Sequence, residues 1–385
     1  MKIAFFTNFI NHHQVHVADE LYNSEGVDYT FVATEPLPTT FKKTGYPDYS
    51  TRPYLLKAYE SESKKNEAKQ LANEADVVII GSAPDEFVIK RIKEGKLTFR
   101  YSERWFKNRA WFQSGPRAWL HFYKNHIRFK NKPLYMLAAS AYTANDVYAI
   151  GAYKNKVFKW GYFTKVDADF KVEALESGAS TLESTPLMWC ARFLKWKHPE
   201  LPVQLAKRLK DEGYKFTIDM YGSGEEFESI QKQVNDLQVG DVVKLRGNLP
   251  NDQILQQMKL HEIFLFTSDR NEGWGAVLNE AMSNGCAVVS SNRIGSTPFL
   301  VKDGENGLIF ESENINSLYC QVKRILDNPD LKAKLSHNAV YTMQQVWSPC
   351  NAAKQLLKLI HALQNSDEAD IPLDGPCSRA FPFHC

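Results

Sequence analysis

No apolar stretch in the 385-residue sequence approaches the roughly 18 residues that a membrane span needs. The N-terminus, MKIAFFTNFINHHQ, breaks its short apolar run with Asn8, Asn11 and two histidines. Neither a signal peptide nor a transmembrane helix is expected there, and the expected location is cytoplasmic. Cysteine is sparse: six residues, none in CxxC spacing, which argues against a disulfide framework and a zinc site. The sequence has no GxxxxGK[ST] phosphate loop and no complete GxGxxG fingerprint, because YGSGEEF lacks the third glycine. Charge of one sign is missing too, with 47 Lys or Arg against 45 Asp or Glu. Taken alone, that balance speaks against a polyanionic partner.

Hydrophobic residues make up 43% of the chain, and they fall in short β-branched or aromatic runs that alternate with amphipathic stretches. Candidate strands are 2–7, 28–34, 76–80, 97–102, 134–138 and 157–162 in the first half. The second half offers 186–191, 216–221, 242–246, 263–267, 287–290 and 307–310. Such alternation predicts βαβ units, hence α/β domains built on doubly wound parallel sheets. The period fails at 165–185, the expected linker between a domain at 1–164 and another at 186–348. A helix is expected over 349–364, packing back toward the N-terminal domain. Residues 365–385, with three prolines, have no period and read as a tail open to disorder.

The stretch SDRNEGWGAVLNEAMSNGCAVVSS follows a strand, and Gly273 and Gly275 let a ligand approach the backbone closely before a helix over 276–283. A helix N-terminus offers unpaired amides and the positive end of a dipole, which suits a diphosphate. Glu272 and Glu280 stand in the turn and one turn inside the helix, with spacing that suits a sugar and a ribose.

This stretch resembles the signature of the retaining nucleotide-sugar glycosyltransferases of family 4, which have two Rossmann-like domains facing across a cleft (the GT-B architecture). ARFLKWK, YGSGEE and LRGNLPNDQI resemble three further family segments in the family's order, and the resemblance covers most of 186–362. It implies that Arg192 and Lys197 grip the donor diphosphate and that Glu272 orients the sugar, the three forming the catalytic set. It further implies that Glu280 holds the ribose. Gly222, Gly224, Gly247, Asn248, Gly273, Trp274, Gly275, Ala276 and Val277 would complete the donor site. No metal or other cofactor is implied beyond the nucleotide diphosphate sugar, with UDP and GDP both open. Ala191 departs from the family's usual glycine.

The N-terminal half is similar only in general form to bacterial transferases that build surface polysaccharides. Asn11, His13, Glu103 and Arg104 are its candidates for an acceptor site, against a purely structural role for His13. Asp167-Ala168-Asp169 imitates a metal motif but falls in the expected linker. His12, His13 and His16 have no acidic partner nearby in sequence that would make a metal site.

Residues 87–132 hold thirteen Lys or Arg against two Glu, a surplus of eleven positive charges that leaves −9 for the rest. Eleven aromatics accompany them. Cations mixed with aromatics suit an anionic membrane surface or a lipid-linked acceptor. Single-stranded nucleic acid and a plain solvated face over an aromatic core are the competing readings, and nucleic acid is not expected. The expected function is transfer of a sugar from a nucleotide diphosphate sugar to a glycan or lipid-linked acceptor. The alternatives are an NAD-dependent oxidoreductase, disfavoured by the missing fingerprint, and a non-catalytic two-lobed sugar-binding protein.

Overall fold

The computed structural model describes residues 1–38, 47–107, 115–172 and 184–383. The chain forms two compact units, one of residues 1–165 with 347–385 and the other of 166–346. Each is a parallel sheet covered by helices.

The first sheet has seven strands in the order β3-β2-β1-β4-β5-β6-β7. In chain order they are β1 (Lys2–Thr7), β2 (Asp28–Ala33), β3 (Leu55–Lys57), β4 (Val77–Ile80), β5 (Thr98–Ser102), β6 (Leu134–Ala138) and β7 (Val157–Lys159). The central strands read KIAFFT and VVII, and Ile3 to Phe6 and Val77 to Ile80 are buried, as a sheet sandwiched between helices requires. β3 was not foreseen: LLK at a sheet edge is too short to show a period. The expected strand 157–162 stops at Lys159, because Trp160 turns away after donating its amide to Ala138 O at 2.9 Å.

The helix Pro349–Asn365 belongs to this first unit. Ser348 caps it by accepting from Asn351 N at 3.2 Å, and Pro349 occupies its first turn. Ala352, Ala353, Leu356, Leu359 and Ile360 are buried along its length, and it packs on the helix Val15–Tyr22. Residues 366–383 are ordered, not free: Lys159 N donates to Ser378 O and Cys377 N to Lys159 O, both at 2.7 Å. The tail thereby covers the edge that β7 would otherwise expose.

The second sheet has six strands in the order β10-β9-β8-β11-β12-β13. They are β8 (Thr185–Cys190), β9 (Phe216–Tyr221), β10 (Val243–Gly247), β11 (Ile263–Phe266), β12 (Ala287–Ser291) and β13 (Leu308–Phe310). Of the expected linker, residues 173–183 lie outside the described residues. Asp167 and Phe170 belong to the second unit, where Gln344 Nε2 donates to both their carbonyls at 2.9 Å.

Candidate functional site

Both sheets reverse their strand order at one place, between β1 and β4 in the first and between β8 and β11 in the second. The chains leaving two such strands part in opposite directions and open a crevice at their carboxyl ends, where ligands of open α/β sheets bind. Arg192 follows β8, and Glu272 follows β11.

The turn after β9 is folded onto the chain leaving β8. Ala191 N donates to Tyr221 O at 3.1 Å and Phe193 N to Ser223 O at 2.9 Å. The approach is so close that a Cβ on Gly222 would stand 1.9 Å from Ala191 O, and one on Gly224 would stand 2.4 Å from Phe193 O. Only glycine fits either position. Gly222 N reaches Gly247 O at 2.8 Å and Asn248 Nδ2 donates to Ser223 Oγ at 2.6 Å, so three sequence motifs meet in one cluster of turns.

Lys197 and Glu272, 75 residues apart, form a hydrogen-bonded ion pair with side chains 11% exposed. Ser268 Oγ donates to the same carboxylate oxygen at 3.0 Å. Trp189 Nε1 fixes Thr267 Oγ1 at 2.8 Å, and that hydroxyl donates to Lys197 O at 2.7 Å. The two loops are thus pinned to each other from the core outward. Arg192 is exposed, and its side chain has no partner among the described residues. It is an unanswered cation at the end of β8, whereas Lys197 already carries a carboxylate.

The helix Val277–Ser283 starts directly after Gly275 and Ala276. Gly275 has φ +85, and a Cβ there would lie 2.3 Å from the Phe266 ring. Trp274 does not fit a donor contact. It is fully buried and gives Nε1 to Asn279 Oδ1 at 2.8 Å, so it braces the turn from inside.

Glu280 is 8% exposed, and burial pushes its carboxyl up to about 7 against the pull of Asn251, whose Nδ2 donates to it at 3.0 Å. Burial, reinforced by the Glu280 charge, also pushes the Cys190 thiol up to about 12. Ser268, Asn251 and Cys190 were not singled out in the sequence. Asn251 opens the helix Asn251–Lys259 just after the Gly247–Asn248 motif, which was the available signal.

His198 has φ +51, left-handed for a residue that is not glycine. Its Nδ1 lies 2.8 Å from Glu200 and its Nε2 3.5 Å from Asp269. Burial opposes its charge, but Asp269 and Glu200 prevail and raise the ring to about 9. With Glu313, His198 and Asp269 place one ligating atom each within 4.8 Å of one another. Both ring nitrogens face carboxylates, which fits an imidazolium bridge better than a metal ligand, since ligation requires the neutral ring.

In the first unit a cleft of about 450 Å³ opens at the ends of β1, β4 and β5, lined by Asn8, Asn11, Gln14, Ser82, Tyr101, Glu103 and Tyr162 among others. Asn11 shapes its rim by accepting from His13 N at 3.0 Å. Glu103 accepts from Tyr162 OH at 2.5 Å and from Lys107 Nζ at 2.8 Å. The other two acceptor candidates are not among the residues that line the cleft. His13 stacks on Tyr162 at 4.5 Å, and burial, with His12 and His16, holds its ring well below the usual histidine range. Arg104 faces buried Asp146 and covers the Tyr142 ring at 4.9 Å.

The basic segment is divided by the fold. Arg91 is fully buried and donates to four backbone carbonyls, while Arg100 pairs with Asp85. Lys90, Lys93, Arg117, Lys124, Arg128, Lys130 and Lys132 remain exposed. Residues 108–114, including Arg109 and Trp111, lie outside the described residues. No described helix is long and apolar enough to cross a membrane.

Residues 181–340 match the family model of glycosyl transferases group 1. Over 135 residues the chain is 33% identical to a poly(glycerol-phosphate) alpha-glucosyltransferase of Bacillus subtilis, covering 35% of this chain and 19% of that protein. Over 176 residues it is 26% identical to a poly(ribitol-phosphate) alpha-N-acetylglucosaminyltransferase of Staphylococcus aureus, covering 45% and 34%. The chain therefore spans about a third or less of these relatives. Among solved structures, Anabaena Alr3699/HepE in complex with UDP matches with TM-score 0.68 and 13% identity over 94% of this chain and all of the other. TarM matches with TM-score 0.64 and 12% identity over 93% and 98%. These matches show the two-domain GT-B fold.

Proposed function

We propose that this protein is a retaining glycosyltransferase of family 4. It would move a sugar from a nucleoside diphosphate sugar to a hydroxyl of a glycan or lipid-linked acceptor in polysaccharide or glycoconjugate biosynthesis. The observation that carries the reading is the group at the β8–β11 switch point: exposed Arg192, whose side chain has no partner among the described residues, the Lys197–Glu272 pair and buried Glu280, around Gly222, Gly224 and Gly275, where no Cβ fits. The group 1 match over the same residues supports it.

Breaking the bond between sugar and phosphate places negative charge on the leaving diphosphate. Arg192 and the amides of 275–277 are fixed groups of the right sign to stabilise it. Lys197 joins them by exchanging its carboxylate partner for phosphate, which frees Glu272 to accept from sugar hydroxyls. Glu280 accepts from the ribose. No protein base is assigned, because the departing phosphate is itself able to take the acceptor proton. UDP as the nucleotide is supported by the complex described for the Anabaena protein.

The acceptor falls to the cleft of the first unit. Peripheral contact with the inner face of an anionic membrane is supported by the helix Pro116–Asn125, where Leu120 is 52% and Tyr123 56% exposed beside Arg117 and Lys124.

A thermal-shift panel should show stabilisation by a nucleoside diphosphate sugar and none by NAD or free sugar. Arg192→Ala and Glu272→Ala should each lower transfer by at least about 100-fold with unchanged circular dichroism, the scale of losing a transition-state contact. Full activity in both variants would sink the assignment.

A further inference from the structure

Among the described residues, two ion pairs join the loop after β8 to the loop after β11: Lys197 with Glu272, and His198 with Asp269, whose Oδ2 lies 3.5 Å from Nε2. Donor binding consumes only the first, since Lys197 must leave Glu272 to meet a diphosphate. The second can stay closed while the first opens. The His198 side chain is 12% exposed and that of Asp269 15%. Nδ1 lies 2.8 Å from Glu200, the first residue of the helix Glu200–Asp211. A carboxylate only accepts, so Nδ1 carries a proton. Nε2 faces Asp269, with Glu313 on the loop after β13 as the third carboxylate. Lys197, the neighbouring cation on its own loop, is turned to Glu272. Burial opposes the charge of the ring, but Asp269, Glu200 and Glu313 outweigh it and raise the ring to about 9. Asp269 is itself tied to the site. It accepts from Asn271 N at 2.7 Å, and its carbonyl accepts from Glu272 N at 3.1 Å. A shift of Asp269 therefore carries Glu272 with it. His198 stands at φ +51, which glycine would adopt without strain, so the backbone gives no reason for an imidazole there.

We propose that His198 is a positioning residue of the donor site: its imidazolium, anchored on Glu200, holds the Asp269–Glu272 turn against the loop of Lys197 while Lys197 exchanges Glu272 for the donor's diphosphate. The inference rests on the glycosyltransferase reading and adds a residue that acts through Lys197 and Glu272 without touching the donor. As pH rises through about 9 the ring gives up one proton. Nδ1 keeps the other for Glu200, and Nε2 then turns a lone pair toward Asp269. The clasp thus opens on the side of Glu272, and its contribution to donor binding is present below that pH and lost above it.

The test is calorimetric titration of the wild type and of His198→Gly with UDP and with GDP at about pH 7.5 and about pH 10, read on whichever nucleotide binds the wild type more tightly. Glycine relieves the left-handed backbone, and circular dichroism checks that the variant is folded. At the lower pH the variant should bind about tenfold more weakly, the scale of losing one charge-assisted contact. At the higher pH, where the wild-type ring is neutral, the two should agree within about twofold. Titration of Lys197 is common to both proteins and cancels in the comparison. A ring with a merely structural role would weaken binding by the same factor at both pH values. Equal affinities at pH 7.5 overturn the inference, and so does a gap that persists undiminished to pH 10. Should His198→Gly not fold, His198→Asn, uncharged and tolerant of the left-handed region, is read by the same two outcomes. A wild type that binds neither UDP nor GDP overturns the glycosyltransferase reading, and the inference falls with it.

Discussion

With its carboxyl raised from 4.5 to about 7 by burial, Glu280 binds its proton more tightly in the folded protein than in the unfolded chain. Stability on its account is greatest below pH 4.5, falls as pH rises to about 7, and stays low above that. The cost is roughly 3 kcal/mol in the ionised state by the shift alone. Glu280→Gln should therefore raise the melting temperature at pH 8 by a few degrees and flatten its decline between pH 4.5 and 7. The same substitution should remove most of the melting shift caused by UDP, since the amide is a poorer acceptor for two ribose hydroxyls. A variant less stable than wild type at pH 8 would contradict the burial argument.

At the scale of the element, the turns after β9 and β10 show two different uses of glycine. Gly222 at φ +133 and Gly247 at φ +70 both lie where a side chain is strained, but a Cβ at Gly247 meets nothing within 4 Å. Gly247→Ala should cost about 1 kcal/mol, the backbone penalty alone. Gly222→Ala drives a Cβ into a backbone carbonyl that has no room to move, and should cost more than about 3 kcal/mol or prevent the second unit from folding. Urea titration of the two variants checks the difference, and equal midpoints would show that the close approach of the β8 and β9 turns does not hold in solution.

The whole molecule is not divided as the chain is ordered. The helix Pro349–Asn365 follows the second unit in sequence but completes the first, where Leu356 is fully buried. Leu356→Ala should cost about 3 kcal/mol. In a calorimetric scan it should lower the transition of the first unit while leaving the transition that UDP shifts where it was. A downward move of the UDP-sensitive transition would show that this helix stabilises the second unit instead.

The sequence by itself determined the two parallel sheets, because strands buried on both faces must be written as short apolar runs between amphipathic helices, and that pattern is local. It also marked the glycine turns at Gly222, Gly224 and Gly275, since a close backbone approach restricts residue type position by position. β3 escaped because three residues at an edge have no period. Only the tertiary structure decided which charges remain available. Arg91, Arg100 and Arg104 count equally with Arg117 in any composition, yet the fold spends the first three on carbonyls, Asp85 and Asp146. Only the tertiary structure could pair Lys197 with Glu272 or set Asn251 on Glu280. Such partners are brought together by sheet order, which side-chain period does not encode.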